Sequence, residues 1–124
     1  MTRVVMVVED DPATRRLYRF LLANSGYTVI EAEDGMAALR QLATAPCDVI
    51  ITDMNMPRMS GLDLVRTLRQ QGSGVYVIMI TAFGTPESER HAFRSGVNDY
   101  LTKPFEFEDL EQRVQNFFTQ RWGD

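Results

Sequence analysis

Polar residues able to do chemistry stand directly after apolar runs in this chain. VVMVV is followed by Glu9, Asp10 and Asp11; VIIT by Asp53, with Asn55 two positions on; VYVIMI by Thr81 and Ala82; and DYLT by Lys103 and Pro104. Whatever gathers the runs therefore gathers these groups. Two unit charges about 4 Å apart repel by about 4 kcal/mol at an effective dielectric near 20, so clustered carboxylates need a cation or must take up protons. With only oxygen ligands and no histidine or cysteine among them, a hard divalent ion is the simpler remedy, and an open site that keeps several waters favours Mg²⁺ over Ca²⁺. Once the charge is partly neutralised, one carboxylate oxygen can attack phosphorus as a nucleophile. Lys103 can then pair with a phosphoryl oxygen while Thr81 donates a hydrogen bond to another. Lys103 is the only lysine among thirteen basic residues, the others all being arginine. An ammonium is a compact point charge that fits beside a carboxylate, where a wide guanidinium fork does not.

The elements that must position these groups are legible as runs and periods. VVMVV (4–8), TVIEA (28–32), VIIT (49–52), VYVIMI (75–80) and the weaker DYLT (99–102) do not alternate with polar residues, as expected of strands buried on both faces of a parallel sheet. Between them lie helical segments with end signals. Asp11 caps a first helix with Pro12 at its first position, Leu17, Phe20 and Leu21 as its inner stripe and Gly26 beyond its end. Asp34 opens a second, with Ala38, Leu39 and Leu42 inward, which stops before Pro46. The third runs from about Gly61 to Gln71 with Leu62, Val65 and Leu68 on one face, and the fourth from Pro86 to near Gly96. Phe107, Leu110, Val114, Phe117 and Phe118 mark the fifth, with Glu108 and Asp109 in its positive first turn. Strict β-α alternation implies right-handed crossovers and a parallel sheet with helices on both faces. Ligands in such sheets sit outside the carboxyl ends of the strands, which is where every polar group named above falls.

Composition narrows the function classes. A chain of 124 residues with 44% hydrophobic and 24% charged residues has the size of one globular domain, expected to span 1–124 without an internal linker or repeat. Cys47 alone cannot build a disulfide framework, and with only His91 beside it there is no structural zinc set. A formal charge of −4 without a basic run argues against direct nucleic-acid binding. The run Val4 to Val8 is too short for a signal peptide or a membrane span, so a cytoplasmic protein with no membrane partner is expected. His91 is expected on the surface, and Met54, Met56 and Met59 as loop packing rather than sulfur ligands.

VVEDD, DMNMPRMSG, ITA and DYLTKPF occur in an order and at spacings that resemble the CheY-like receiver domain of bacterial two-component response regulators, and the likeness covers essentially the whole chain. The resemblance implies a doubly wound, flavodoxin-like sheet of five parallel strands in the order 2-1-3-4-5 with five helices. It implies that Asp53 accepts a phosphoryl group from a phosphohistidine on a sensor histidine kinase or phosphotransfer protein. Asp10 would bind Mg²⁺ directly and Glu9 mainly through water, Asp53 would be a further ligand, and Asn55 would supply its backbone carbonyl. Thr81 and Lys103 match the family's hydroxyl and lysine. Tyr100 matches the aromatic that swings inward when Thr81 is drawn to the phosphoryl group, and the bond before Pro104 is implied to be cis. Phe83, two residues after Thr81, stands where the family often carries small or polar residues, and its bulk is expected to slow hydrolysis of the phosphoaspartate.

The implied role is a switch in which phosphorylation of Asp53 changes the face built from the fourth helix, fifth strand and fifth helix, and with it the affinity for a downstream effector protein or a fused output domain. No catalysis is implied beyond the chain's own phosphotransfer and dephosphorylation. A phosphorylation-dependent dimer is left open, as is whether the domain stands alone or belongs to a longer regulator or hybrid kinase. Kinase specificity is placed by analogy on the first helix around Arg15, Arg16 and Arg19 and on the loop after the fifth strand. Three rivals remain. A Mg²⁺-dependent phosphohydrolase with an aspartyl-phosphate intermediate would usually carry a second aspartate where Asn55 stands. A nucleotide-binding module would need glycines where the first turn reads EDDPAT, since acid there repels phosphate. A receiver-like interaction module that works without phosphorylation would have no use for the acidic set and Lys103.

Overall fold

In the central strands, successive side chains serve two different cores, which is why the runs are apolar throughout. Val5 and Val7 of the first strand pack in one layer with Ile51, Ile78 and Leu101. Met6 and Val8 pack in the other with Ile50, Val77 and Met79. A computed structural model describes residues 2–122, the Trp122 side chain excepted; Gly123 and Asp124 lie outside the described residues. The elements follow in the order β1 (Val4–Val8), α1 (Pro12–Asn24), β2 (Thr28–Ala32), α2 (Gly35–Thr44), β3 (Val49–Asp53), α3 (Gly61–Gln70), β4 (Tyr76–Thr81), α4 (Pro86–Arg94), β5 (Asp99–Thr102) and α5 (Phe107–Trp122). All strand pairs are parallel, in the order β2-β1-β3-β4-β5.

One face of the sheet is covered by α1 and α5 through Leu22, Leu110, Val114 and Phe118. The other is covered by α2, α3 and α4 through Ala38, Leu64, Val65, Leu68 and Ala92. Phe118 is fully buried and stacked on Tyr27 with ring centroids 5.5 Å apart; its truncation to alanine would cost about 3–5 kcal/mol. No described helix is long and apolar enough to cross a membrane.

Helix starts follow the sequence signals. The Asp11 carboxylate accepts from Thr14 N at 2.9 Å and Asp34 from Ala37 N at 2.8 Å, each satisfying a donor that the first turn leaves unpaired. Thr85 and Ser88 form a reciprocal capping box on α4. The Lys103–Pro104 bond is cis.

Two helical faces differ from the sequence expectation. Leu17 and Phe20 are not the inner stripe of α1; they are 53% and 62% exposed, and Leu22 is the buried leucine, with Tyr18 partly buried behind it. Two overlapping stripes fit the period of this helix. The inner one runs through Arg15, Tyr18 and Leu22, and Arg15 hid it, because a residue that reads as solvent-facing has its polar atoms bonded inside. In α3, Leu64 is fully buried with Val65 and Leu68, whereas Leu62 is only partly covered.

Candidate functional site

Parallel register brings the polar strand ends to one edge. Val8 pairs with Ala32 and Thr52, Asp53 with Ile80, and Thr81 with Thr102, so the residues that follow each pair emerge together. Lys103 is anchored there by its amide, which donates to Thr81 O at 2.8 Å.

Carboxylate oxygens of Glu9, Asp10 and Asp53 lie within 4.8 Å of one another. The Lys103 Nζ stands 3.3 Å from Asp53 Oδ2 and 4.0 Å from Glu9 Oε1. Three carboxylates facing one ammonium leave negative charge in excess. The imbalance is felt most by Glu9, which is only 4% exposed. Burial, helped by the neighbouring Asp10 and Asp53 carboxyls, pushes its pKa up to about 7, although the Asp11 amide donates to Glu9 Oε2 at 3.1 Å and pulls the other way. Burial alone would depress Lys103, but the attraction of Asp53 and then Glu9 outweighs it and holds the ammonium above its ordinary value. The donor set is all oxygen, carries surplus negative charge and grades from buried Glu9 to exposed Asp10. It therefore fits a hard divalent cation that retains water on its open side.

Asp53 is oriented from its own loop. Asn55 N donates to Asp53 Oδ1 at 3.0 Å, and Lys103 holds the other oxygen. Gly61, the first residue of α3, packs so closely that a Cβ there would collide with the Asp53 carbonyl oxygen, while its amide donates to Met54 O at 2.9 Å. Only glycine allows the helix start to lie against the backbone that carries Asp53. Arg58 adopts φ 68° in this loop, and its guanidinium lies 2.6 Å from the buried Asp34 carboxylate at the start of α2. The loop is thus tied to the next layer. Met54, Met56 and Met59 pack against the core, as expected.

Thr81 is fully buried, and its Oγ1 accepts from Phe83 N at 3.1 Å. Ala82 and Phe83 are exposed at the rim, Phe83 by 79%. Tyr100 lies inward, 9% exposed, with its hydroxyl 2.8 Å from Ser88 Oγ on α4. The structure therefore gathers Glu9, Asp10, Asp53 and Lys103 directly and sets Asn55 and Thr81 beside them through the backbone. Tyr100 belongs to a neighbouring network with Ser88 and Thr85. His91 is exposed and meets Arg66 at 2.7 Å, and burial pushes the Cys47 thiol up to about 12; both lie away from the acidic cluster.

The partners of four polar groups were not legible in the sequence. Ser88, whose hydroxyl also receives Thr85 N at 3.0 Å, carried a capping-box signal through its spacing from Thr85 but nothing that pointed to Tyr100. Arg58 and Asp34 belong to segments without a sequence signal for pairing. Arg15 was legible only as a surface charge, although helical side chains lean toward the N-terminus and so return a second-turn residue to the end of β1.

A family model described as the response regulator receiver domain matches residues 5–115. The probable transcriptional regulatory protein SilR of Salmonella typhimurium is 36% identical over 111 residues, which are 90% of this chain and 49% of that protein. The two-component response regulator PhoP of Pseudomonas aeruginosa is 36% identical over 119 residues, 96% of this chain and 53% of that one. The chain thus spans about half the length of these curated relatives. Among solved structures, a Francisella response regulator 1452 receiver domain superposes with a TM-score of 0.93 at 32% identity, covering 97% of this chain and 99% of that one. The chemotaxis protein CheY4 of Vibrio cholerae gives 0.88 at 33% identity, covering 94% and 99%. The five-stranded order, the acidic strand ends and the extent of these matches agree, and the chain belongs to the response regulator receiver domain family.

Proposed function

We propose that this receiver domain is a phosphoacceptor switch in which Asp53 takes a phosphoryl group from a phosphohistidine on a sensor histidine kinase or a phosphotransfer protein. An Asp53 carboxylate oxygen attacks phosphorus; the O–P bond forms, the N–P bond breaks, and the electron pair returns to the imidazole nitrogen, which takes up a proton. Water later attacks the same phosphorus and restores the carboxylate, so the chain catalyses only its own transfer and hydrolysis. Glu9, Asp10 and Asp53, with the Asn55 carbonyl, would hold Mg²⁺, which when bound neutralises charge on the transferring oxygens. Lys103 holds Asp53 in place and pairs with a phosphoryl oxygen, and Thr81 exchanges its contact with Phe83 N for another. That exchange releases the β4–α4 loop and alters the α4–β5–α5 face toward an effector protein, an output domain or a second copy of the chain, in the cytoplasm. The observation that carries this reading is the meeting of Lys103 Nζ with both Asp53 and Glu9 at the edge of the sheet.

Phosphoramidate, a small donor with a P–N bond, tests it. Incubation with Mg²⁺ is expected to give an acyl-phosphate resonance by ³¹P NMR that decays to phosphate, without sustained turnover of p-nitrophenyl phosphate. Sustained turnover would favour the phosphohydrolase. A second reading, interaction independent of phosphorylation, is favoured by the inward Tyr100 held on Ser88; it predicts no acyl phosphate under the same conditions.

A further inference from the structure

Arg15 stands one turn inside α1, and its side chain is 15% exposed. Its Nη1 donates to the Glu9 carbonyl oxygen at 2.8 Å and its Nε to Glu31 Oε1 on β2 at 3.1 Å. Glu31 is fixed in turn, since Gln41 Nε2 donates to its carbonyl at 2.7 Å and Arg19 Nη1 lies 3.3 Å from its other carboxylate oxygen. On the opposite side of the same residue, Glu9 N donates to Ala32 O at 3.1 Å. The oxygen that Arg15 grips belongs to the peptide joining Glu9 to Asp10. The plane of that peptide sets the relative direction of two carboxylates that must converge with Asp53 within 4.8 Å.

We propose that Arg15, oriented by Glu31, is a positioning residue for the cation site, fixing the Glu9–Asp10 peptide so that both carboxylates face Asp53. This rests on the reading of Glu9, Asp10 and Asp53 as a Mg²⁺ site. The guanidinium fork serves a carboxylate and a carbonyl at once, which one ammonium on a flexible stem does not do. Glu31, shared with Arg19, offsets only part of its charge, and what it passes to the site is the geometry of the Glu9–Asp10 peptide. A field effect would have the opposite sign, because removing a nearby cation would favour Mg²⁺.

The two-dimensional amide NMR spectrum, titrated with Mg²⁺ alone, separates these cases and reports the fold of each variant. In the unmodified chain, the resonances near Glu9, Asp10 and Asn55 are expected to shift and saturate. Arg15→Met and Arg15→Lys are both expected to bind Mg²⁺ about tenfold more weakly, the lower end of what losing an outer partner costs a metal site. The Asp10 amide is expected to shift in both variants before any metal is added. Arg15→Met with Glu31→Ala should bind no more weakly than Arg15→Met alone, since the two residues act as one unit. In Arg15→Met, Arg19 still faces Glu31; should that variant fail to fold, Arg15→Lys carries the test with its charge intact. Affinity unchanged or tighter in Arg15→Met, or fully kept in Arg15→Lys, overturns the positioning role. Absence of any Mg²⁺ response in the unmodified chain overturns the cation-site reading itself, and the role of Arg15 with it.

Discussion

Lys103 Nζ lies 3.3 Å from Asp53 Oδ2, across 50 positions of sequence. The same nitrogen is 4.0 Å from Glu9 Oε1, so one ammonium answers carboxylates from the ends of two strands. It is the only cation within ion-pairing distance of either carboxylate among the described residues.

Lys103→Met removes that charge at similar length. The metal-free protein is expected to lose on the order of 1 kcal/mol, the upper range for a partly exposed pair, and its melting temperature falls by a few degrees. The rise in melting temperature on adding Mg²⁺ should grow, because the cation then meets less competition. Thermal unfolding by circular dichroism measures both quantities, and equal values in variant and parent would contradict this account.

Asp10→Asn relieves repulsion among the clustered carboxylates at the cost of a ligand. Its metal-free melting temperature is expected to rise by a few degrees, while Mg²⁺ adds stability only to the parent. Lower or equal metal-free stability in Asp10→Asn would falsify the strain argument.

The pH dependence has a definite sign. Glu9 titrates near the ordinary 4.5 in an unfolded chain and at about 7 in the folded one. A raised carboxyl contributes fully to stability below the unfolded value, and that contribution is lost as pH rises through the folded value. Metal-free stability should therefore fall between about pH 4.5 and pH 7, and saturating Mg²⁺ should flatten the fall. Urea unfolding across this window checks it; stability rising with pH through the window without metal would contradict the assignment.

Asp34 and Arg58 separate a cap from an ion pair. Asp34→Ala loses the bond to Ala37 N as well as the Arg58 contact, and should destabilise by about 1–2 kcal/mol. Arg58→Gly loses a contact made by a largely exposed guanidinium but relieves a left-handed backbone at φ 68°. Those effects oppose one another, so its urea midpoint should stay close to the parent's and well above that of Asp34→Ala. Urea unfolding of the two variants gives the comparison.

The sheet and the acidic edge were legible because strand runs and the groups after them obey one rule of parallel architecture. Asp53, Glu9, Asp10 and Lys103 meet where that rule puts them. The face of α1 was not legible, since Leu17 and Phe20 satisfy the same period as Tyr18 and Leu22. The choice between stripes depends on bonds from Arg15 to a distant strand and to a backbone oxygen. Periodicity weighs apolar residues and says nothing of where a buried polar side chain finds its partners. Ser88 was missed for the same reason, its link to Tyr100 joining α4 to β5.

Intact-mass spectrometry after incubation with acetyl phosphate and Mg²⁺ tests the central claim most directly, with Asp53→Ala and a chelated sample alongside. One phosphoryl adduct is expected in the parent and none in either control. No adduct in a parent whose circular dichroism shows an intact fold, or an adduct that persists in Asp53→Ala, would contradict it.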